Sequence, residues 1–322
     1  MVYNFPYHNG HAKIKSYTNR KDALRGANYV VNAIQVGGYD PCTITDFEIP
    51  KKYGLRQTIA DTLGIGGIFR ALRTIPVMLD FAKDMEEVCP NAWFLNYSNP
   101  MAMLTGAMLK ATSIKTVGLC HSVQKCVPDL LKSLDIGVNA EDAQWKIAGI
   151  NHQAWLLEVT KNGKDLYPAL KAKALEKQLQ GKHSDMVENK NIQHTRTHEY
   201  ASYIMEAMET GNPYKIGGNV LNTGLITNLP TEAIVEVPCL VDRSGVIPTY
   251  VGKLPQQLAA LNRTNINPQL LTIEAALTGK RELIYMAAML DPHTSAELSM
   301  DNIKSMCDDL IEAHGDWLPK YK

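Results

Sequence analysis

Two dipeptides carry the strongest chemical signal in the sequence. Cys120-His121 ends one short apolar run, and Asn151-His152 follows another. A cysteine thiolate and a neutral imidazole are both good ligands for a borderline divalent metal. Two protein ligands leave coordination positions for substrate oxygens, as a catalytic metal needs. A small buried thiol and two hydrogen-bonded histidines are the other reading of the same residues. Asn96-Tyr97-Ser98-Asn99-Pro100 sets two amides in one turn. Amides donate and accept, so they suit sugar hydroxyls or a nicotinamide carboxamide, although Asn-Pro is also plain turn chemistry. Gly64-Ile65-Gly66-Gly67 opens a helix that carries Arg70 and Arg73, and Asp61 stands just before it. The glycines would let a backbone approach an anion, or would simply make a turn and cap. Asp61 could supply an N-terminal charge to that helix or orient a catalytic group. His194 and His198 have metal-compatible spacing, but HExxH is absent and an exposed helical face accounts for them.

These side chains need elements to position them. Tyr29–Ile34 is short, rich in β-formers and followed by Gly37-Gly38, so it reads as a buried parallel strand ending in a tight loop. Residues 67–87 have helical spacing, with Ile68, Leu72, Ile75, Leu79 and Ala82 on one face, and Pro76 predicts a kink or break. Ala92–Tyr97 is a second strand, 101–111 a helix, Ile114–Leu119 a third strand and 123–134 a helix. The alternation is that of an α/β protein, and the polar residues Gln35, Asn96, Asn99, Cys120 and His121 fall at strand ends, where open parallel sheets bind ligands. Beyond residue 150 the texture changes. Residues 170–197 read as a linker or mobile loop, 198–210 as a helix, 215–255 as short strands between turns that build a second layer, and 268–290 and 300–313 as helices.

Composition bounds the class. The chain has 322 residues, 33 basic against 33 acidic, 45% hydrophobic and 20% charged. Such a chain can bury a sizeable core in one large or two medium domains. The charge balance argues against a generic nucleic-acid binder. No apolar run approaches the length of a membrane span, and the first residues do not resemble a secretory leader. The six cysteines, with no CxxC pair, read as free thiols of a reducing cytoplasm.

Taken in order, several stretches resemble one family. Asn32–Tyr39 (NAIQVGGY), Ala60–Ile68 (ADTLGIGGI), Arg70–Pro76 (RALRTIP), Asn96–Met103 (NYSNPMAM), Gly118–Val123 (GLCHSV) and Gly149–His152 (GINH) are similar to the family 4 glycoside hydrolases, which use NAD and manganese. The Cys-His-Ser-Val form, with His198–Ser202 (HEYAS) and Gly315–Pro319 (GDWLP), points within the family to the bacterial α-galactosidases. The resemblance implies a Rossmann-like doubly wound sheet over residues 1–150 and a substrate and oligomerisation domain of α+β type over 151–322. It implies an exception to two-carboxylate glycoside hydrolysis: NAD⁺ oxidises the sugar at C3, the acidified C2 proton is removed, the aglycone leaves, water adds, and the ketone is reduced again.

By resemblance, Cys120 and His152 would hold Mn²⁺, and His121 would take the place of the general acid. Asp61 would assist the base. Asn99 and Asn151 would contact sugar, while Gln35, Gly37, Gly38 and Asn99 would line NAD. The family's first βαβ unit, with its pyrophosphate turn, is expected to be missing from this chain. So is a segment with the catalytic tyrosine, where Asp185-Met186-Val187 runs directly into Glu188-Asn189. The expected protein is a cytoplasmic homodimer or homotetramer hydrolysing α-galactosides. An α-galacturonide or α-glucuronide substrate, and a non-catalytic remnant of the fold, are the alternatives.

Overall fold

The computed structural model describes residues 13–58, 61–179 and 199–322. Three short strands, β1 (Tyr29–Asn32), β2 (Trp93–Asn96) and β3 (Lys115–Leu119), are parallel and in register, Asn32 beside Asn96 and Asn96 beside Gly118. The crossovers between them are helical: α2 (Ile44–Lys52) and α3 (Gly64–Val88) between β1 and β2, and α4 (Met101–Ala111) between β2 and β3. A short helix, α1 (Arg20–Leu24), precedes β1 in a stretch that reads as irregular in the sequence. The α/β reading of the first half therefore holds. β1 lies at the rim of the sheet, however, with Val31 49% exposed, where the apolar run predicts a buried strand.

After β3 and α5 (His121–Leu134) the chain adds β4 (Gln144–Ile150), β5 (Gln153–Lys161) and β6 (Lys164–Asp165). Then follow α6 (Tyr167–Leu179), α7 (Tyr200–Thr210), β7 (Tyr214–Leu221), β8 (Ile234–Asp242) and β9 (Gly245–Pro248). These strands build no second layer. β7 pairs antiparallel with β3, β8 with β7, and β4 with β8, so one mixed sheet runs β1-β2-β3-β7-β8-β4-β5-β6. The reason is visible in the strands themselves: the first four positions of β8, Ile234 to Val237, are all buried, and a strand buried on both faces needs cover on both. The expected linker over 170–197 is corrected too, since α6 runs to Leu179. His194, His198 and the stretch 185–189 lie outside the described residues.

The two faces of the sheet carry separate cores, as side-chain alternation requires. Phe94 faces a cluster built from α3, α4, α9 (Arg281–Leu290) and α11 (Met300–His314), while neighbouring Leu95 faces one with β7, β8 and α7. The long α8 (Gln256–Thr278) contributes to both. α3 does not break at Pro76. Proline removes the N–H that would reach the carbonyl of Leu72, and Tyr321 supplies the replacement, its hydroxyl donating to that carbonyl at 3.3 Å. Among the described residues no helix is long and apolar enough to cross a membrane.

Candidate active site

The carboxyl ends of β1 and β2 are sewn together by buried amides. Asn32 Nδ2 donates to Asn96 Oδ1 at 2.8 Å and to Ser98 Oγ at 3.2 Å, and Ser98 Oγ donates to the Ile34 carbonyl at 2.8 Å. This fixes the turn that leads to Asn99. Beside it, β3 ends at Leu119 and Cys120 stands at the N-cap position of α5, so that Cys120, His121 and Ser122 leave the sheet together. A cleft of about 670 Å³ opens over these ends, and its lining includes Asn99, Cys120, His121, Ser122, His152 and Glu199.

His152 arrives from across the sheet. β4 and β5 form a hairpin, and Ile150 pairs with Gln153, so Asn151-His152 is its two-residue turn. Turns of this length favour residues with positive φ, usually Gly or Asn. His152 has φ +60°, a strained conformation for a side chain of its size. Asn262 of α8 braces the hairpin just beyond it, donating to the Gln153 carbonyl at 2.7 Å and accepting from Trp155 Nε1 at 3.1 Å. The result is a close approach of Cys120 Sγ and His152 Nε2, 3.5 Å apart, with Ser122 Oγ 3.0 Å from the sulfur. A single cation with ordinary metal–sulfur and metal–imidazole bonds fits between a thiolate and an imidazole at that separation. Among the described residues no cluster of three or more His, Cys, Asp or Glu side chains forms a complete cage, so such a cation would keep positions for oxygen ligands.

His121 is exposed, and its Nδ1 lies 3.8 Å from a carboxylate oxygen of Glu199. Asn99, Cys120, His121 and His152 thus come together. Asn151 lies underneath, 2% exposed, donating to Glu236 Oε2 at 3.3 Å. Asp61 stands apart from the lining and reaches it through Arg70, whose guanidinium is 3.8 Å from Asp61 and donates to the Asn99 carbonyl at 3.1 Å. The glycine loop ahead of α3 is a packed turn: the Gly66 N–H is taken by Gln57 Oε1 at 2.9 Å, and a Cβ on Gly67 would meet the Thr62 carbonyl at 2.8 Å. Its anion-binding reading therefore gives way to the capping one.

Gln35, Gly37 and Gly38 follow β1. Gly37 and Gly38 both have left-handed φ. A Cβ on Gly37 would strike Cys42 Sγ at 2.2 Å, whereas the space above Gly38 is open. Gly37 is buried and Gly38 half-buried, so the open space above Gly38, just past the end of a parallel strand, is the part of this turn that suits a dinucleotide. Gln35 turns toward Thr43, donating at 3.2 Å.

Residue-type reasoning missed Glu236. It is 1% exposed in β8, and burial, reinforced by nearby Cys120, pushes its carboxyl up to about 8 against the opposing pull of Asn151 and His152. The signal was there to read: a lone acid inside the apolar run Ala233–Val237.

The family 4 glycosyl hydrolase pattern matches residues 5–136, and that of the family's C-terminal domain matches 147–193 and 172–294. The chain belongs to glycosyl hydrolase family 4. Proteins similar to it include the alpha-galactosidase of Bacillus subtilis (strain 168), 56% identical over 378 aligned positions that take in 98% of this chain and 87% of that protein. Another is the alpha-galactosidase of Rhizobium meliloti (strain 1021), 31% identical over 96% of this chain and 77% of that protein. The first alignment is longer than the chain, so the Bacillus protein has positions with no counterpart here. In fold, the chain matches a 6-phospho-alpha-glucosidase from gut microorganisms solved with NAD and Mn²⁺, with a TM-score of 0.83 at 19% identity, over 95% of this chain and 85% of that one. The Rossmann-like architecture is therefore that of the family.

Proposed function

We propose that this family 4 glycosidase hydrolyses α-galactosides with NAD⁺ and Mn²⁺ as cofactors. The observation that carries the reading is the cleft itself. It sets a cation-compatible thiol and imidazole 3.5 Å apart at strand ends, and its described lining contains no lysine or arginine. A uronide carboxylate or a sugar phosphate is ordinarily met by a cationic side chain. Here the polar lining is Asn99, Ser122, Tyr97 and the two histidines, with acidic Glu199, which suits the hydroxyls of an uncharged hexose.

When bound, NAD⁺ and Mn²⁺ supply hydride acceptance and Lewis-acid polarisation of the sugar oxygens. The chain's own residues place the sugar. Cys120 and His152 would hold the cation. His121, paired with Glu199, is the acid that protonates the leaving glycosidic oxygen. Asn99 contacts sugar and nicotinamide, and Asp61, tied to the Asn99 turn through Arg70, assists removal of the C2 proton; Asn151, expected to touch the sugar, is buried beneath the cleft and anchors the His152 turn to Glu236 instead. Gln35, Gly37 and Gly38 line the dinucleotide. In this reading residues 1–150 form the dinucleotide-binding domain, and 151–322 complete the substrate side and the contacts of a cytoplasmic homodimer or homotetramer.

The test is hydrolysis of matched nitrophenyl glycosides with NAD⁺, Mn²⁺ and a reductant. Faster turnover of the α-galactoside than of the α-galacturonide is expected. A preference for the uronide removes the galactoside assignment, and no turnover of any glycoside favours a non-catalytic remnant. Light scattering in solution counts the subunits.

A further inference from the structure

Glu236 is a buried carboxyl without a cation. Among the described residues no Lys, Arg or His side chain forms an ion pair with it. Oε2 accepts from Asn151, and Oε1 has no partner. Its surroundings collect more unanswered acceptors: Asn151 Oδ1 and Asn219 Oδ1 are also buried and unpaired. Asn219 pairs with Glu236 across β7 and β8, and its Nδ2 reaches the Gly118 carbonyl of β3 at 3.4 Å. Gly149 of β4 is the opposite neighbour of Glu236. One carboxyl on β8 therefore stands directly beside β4, which delivers His152, and one strand, β7, away from β3, which delivers Cys120. The charged forms of both those side chains act on Glu236 electrostatically.

Desolvating a carboxylate is costly, and an apolar side chain of similar volume would hold a strand at least as well. A buried acid held by amides alone, with no cation beside it, is stabilised in its charged form by a positive charge nearby. Among the described residues near it, the place suited to a cation is the Cys120–His152 pair. A thiolate and a neutral imidazole neutralise half of a divalent charge, and a carboxylate behind them supplies the other half. Groups outside the coordination sphere are known to tune metal affinity in this way.

We infer that Glu236 is the outer-sphere anion of the Cys120–His152 cation site, a positioning residue that holds Asn151 and balances the charge of the cation. The inference rests on the metal reading of the cleft proposed above. It is tested with Mn²⁺ alone on the full chain, following free Mn²⁺ by electron paramagnetic resonance, with melting of the metal-free protein measured in parallel. Glu236→Gln keeps the shape and removes the charge; binding weakens about 10–100-fold, while the metal-free protein melts no lower than the wild type. Glu236→Asp keeps the charge and retains most of the affinity.

Wild-type Mn²⁺ affinity in Glu236→Gln overturns the inference, as does equal loss in the Gln and Asp variants. Cys120→Ser separates the two levels of argument. If Mn²⁺ binding survives in Cys120→Ser, or the wild type binds none, the metal reading of the cleft fails and takes this inference with it. If Cys120→Ser loses binding while Glu236→Gln keeps it, only the role of Glu236 fails.

Discussion

Two buried carboxylates in this molecule are treated in opposite ways. Asp46, in α2, is answered completely: Arg73 of α3 grips it with both terminal nitrogens at 3.0 and 2.6 Å, and His314 at the end of α11 adds a contact at 2.9 Å. All three residues are at most 2% exposed, and His314 also stacks on Phe69, with the ring centroids 5.8 Å apart. Arg73 further donates to the Val36 carbonyl at 3.2 Å, just ahead of the Gly37-Gly38 loop. Glu236 has two amides around it and no cation. The first arrangement satisfies its charge within the fold and ties three helices together. The second leaves a carboxyl, pushed up by burial, with no cation to favour its charged form. The difference separates a structural knot from a site: buried charge that is matched holds the chain, and buried charge that is not matched marks where something else binds.

The comparison can be broken at either end. Arg73→Met leaves Asp46 buried with His314 as its remaining partner, and the loss is the largest expected here, about 3–5 kcal/mol of stability by denaturant titration. Mn²⁺ binding by the folded fraction should match the wild type; a parallel collapse of metal affinity would mean that the knot is part of the site. Cys120→Ser reverses the pattern. Mn²⁺-dependent turnover should fall by more than the ~10–100-fold typical of losing an outer-shell partner, with the folding free energy within about 1 kcal/mol of the wild type. Full activity in the serine variant would remove Cys120 from the cation site.

Much of this was legible in the residues. The strand–helix alternation up to Leu134 and the gathering of polar groups at strand ends could be read directly, because short apolar runs and 3.6-residue spacing are local properties. The grouping of Cys120 with His152 came from motif order, since residues so far apart in the chain meet through sheet pairing that no local pattern encodes. For the same reason β7–β9 were expected in a second layer, and the edge position of β1 was missed: where a strand lies in a sheet depends on its neighbours. Pro76 misled because the partner that rescues its freed carbonyl, Tyr321, stands at the far end of the sequence. Glu236 was passed over because an acid in a strand ordinarily faces water, and only tertiary burial made it conspicuous.

That long-range rescue gives a smaller test of how buried groups are satisfied. Tyr321→Phe leaves the Leu72 carbonyl without a donor and should cost about 1 kcal/mol. In a Pro76→Ala background the helix recovers its own N–H, so the same tyrosine substitution should cost much less, and the double-mutant cycle reads the coupling directly. Equal costs in both backgrounds would mean that Tyr321 acts through packing alone.

The smallest expected effect bears most directly on site against scaffold. His152 occupies a left-handed turn position at φ +60°, a conformation that costs a bulky residue about 1–3 kcal/mol. Glycine takes that conformation freely but loses about 0.5–1 kcal/mol more entropy on folding. His152→Gly should therefore leave the metal-free protein at least as stable as the wild type, the relief of strain matching or exceeding the added entropy cost, while abolishing Mn²⁺ binding. His152→Asn, which tolerates the same backbone, should lie close to the wild type in melting and resemble the glycine variant in metal binding. A glycine variant that melts lower than the wild type would show that the imidazole contributes packing to the hairpin, placing His152 with Asp46 among residues kept for the fold. A variant that melts no lower and binds no Mn²⁺ places it with Glu236, where stability is given up so that a ligand can be held.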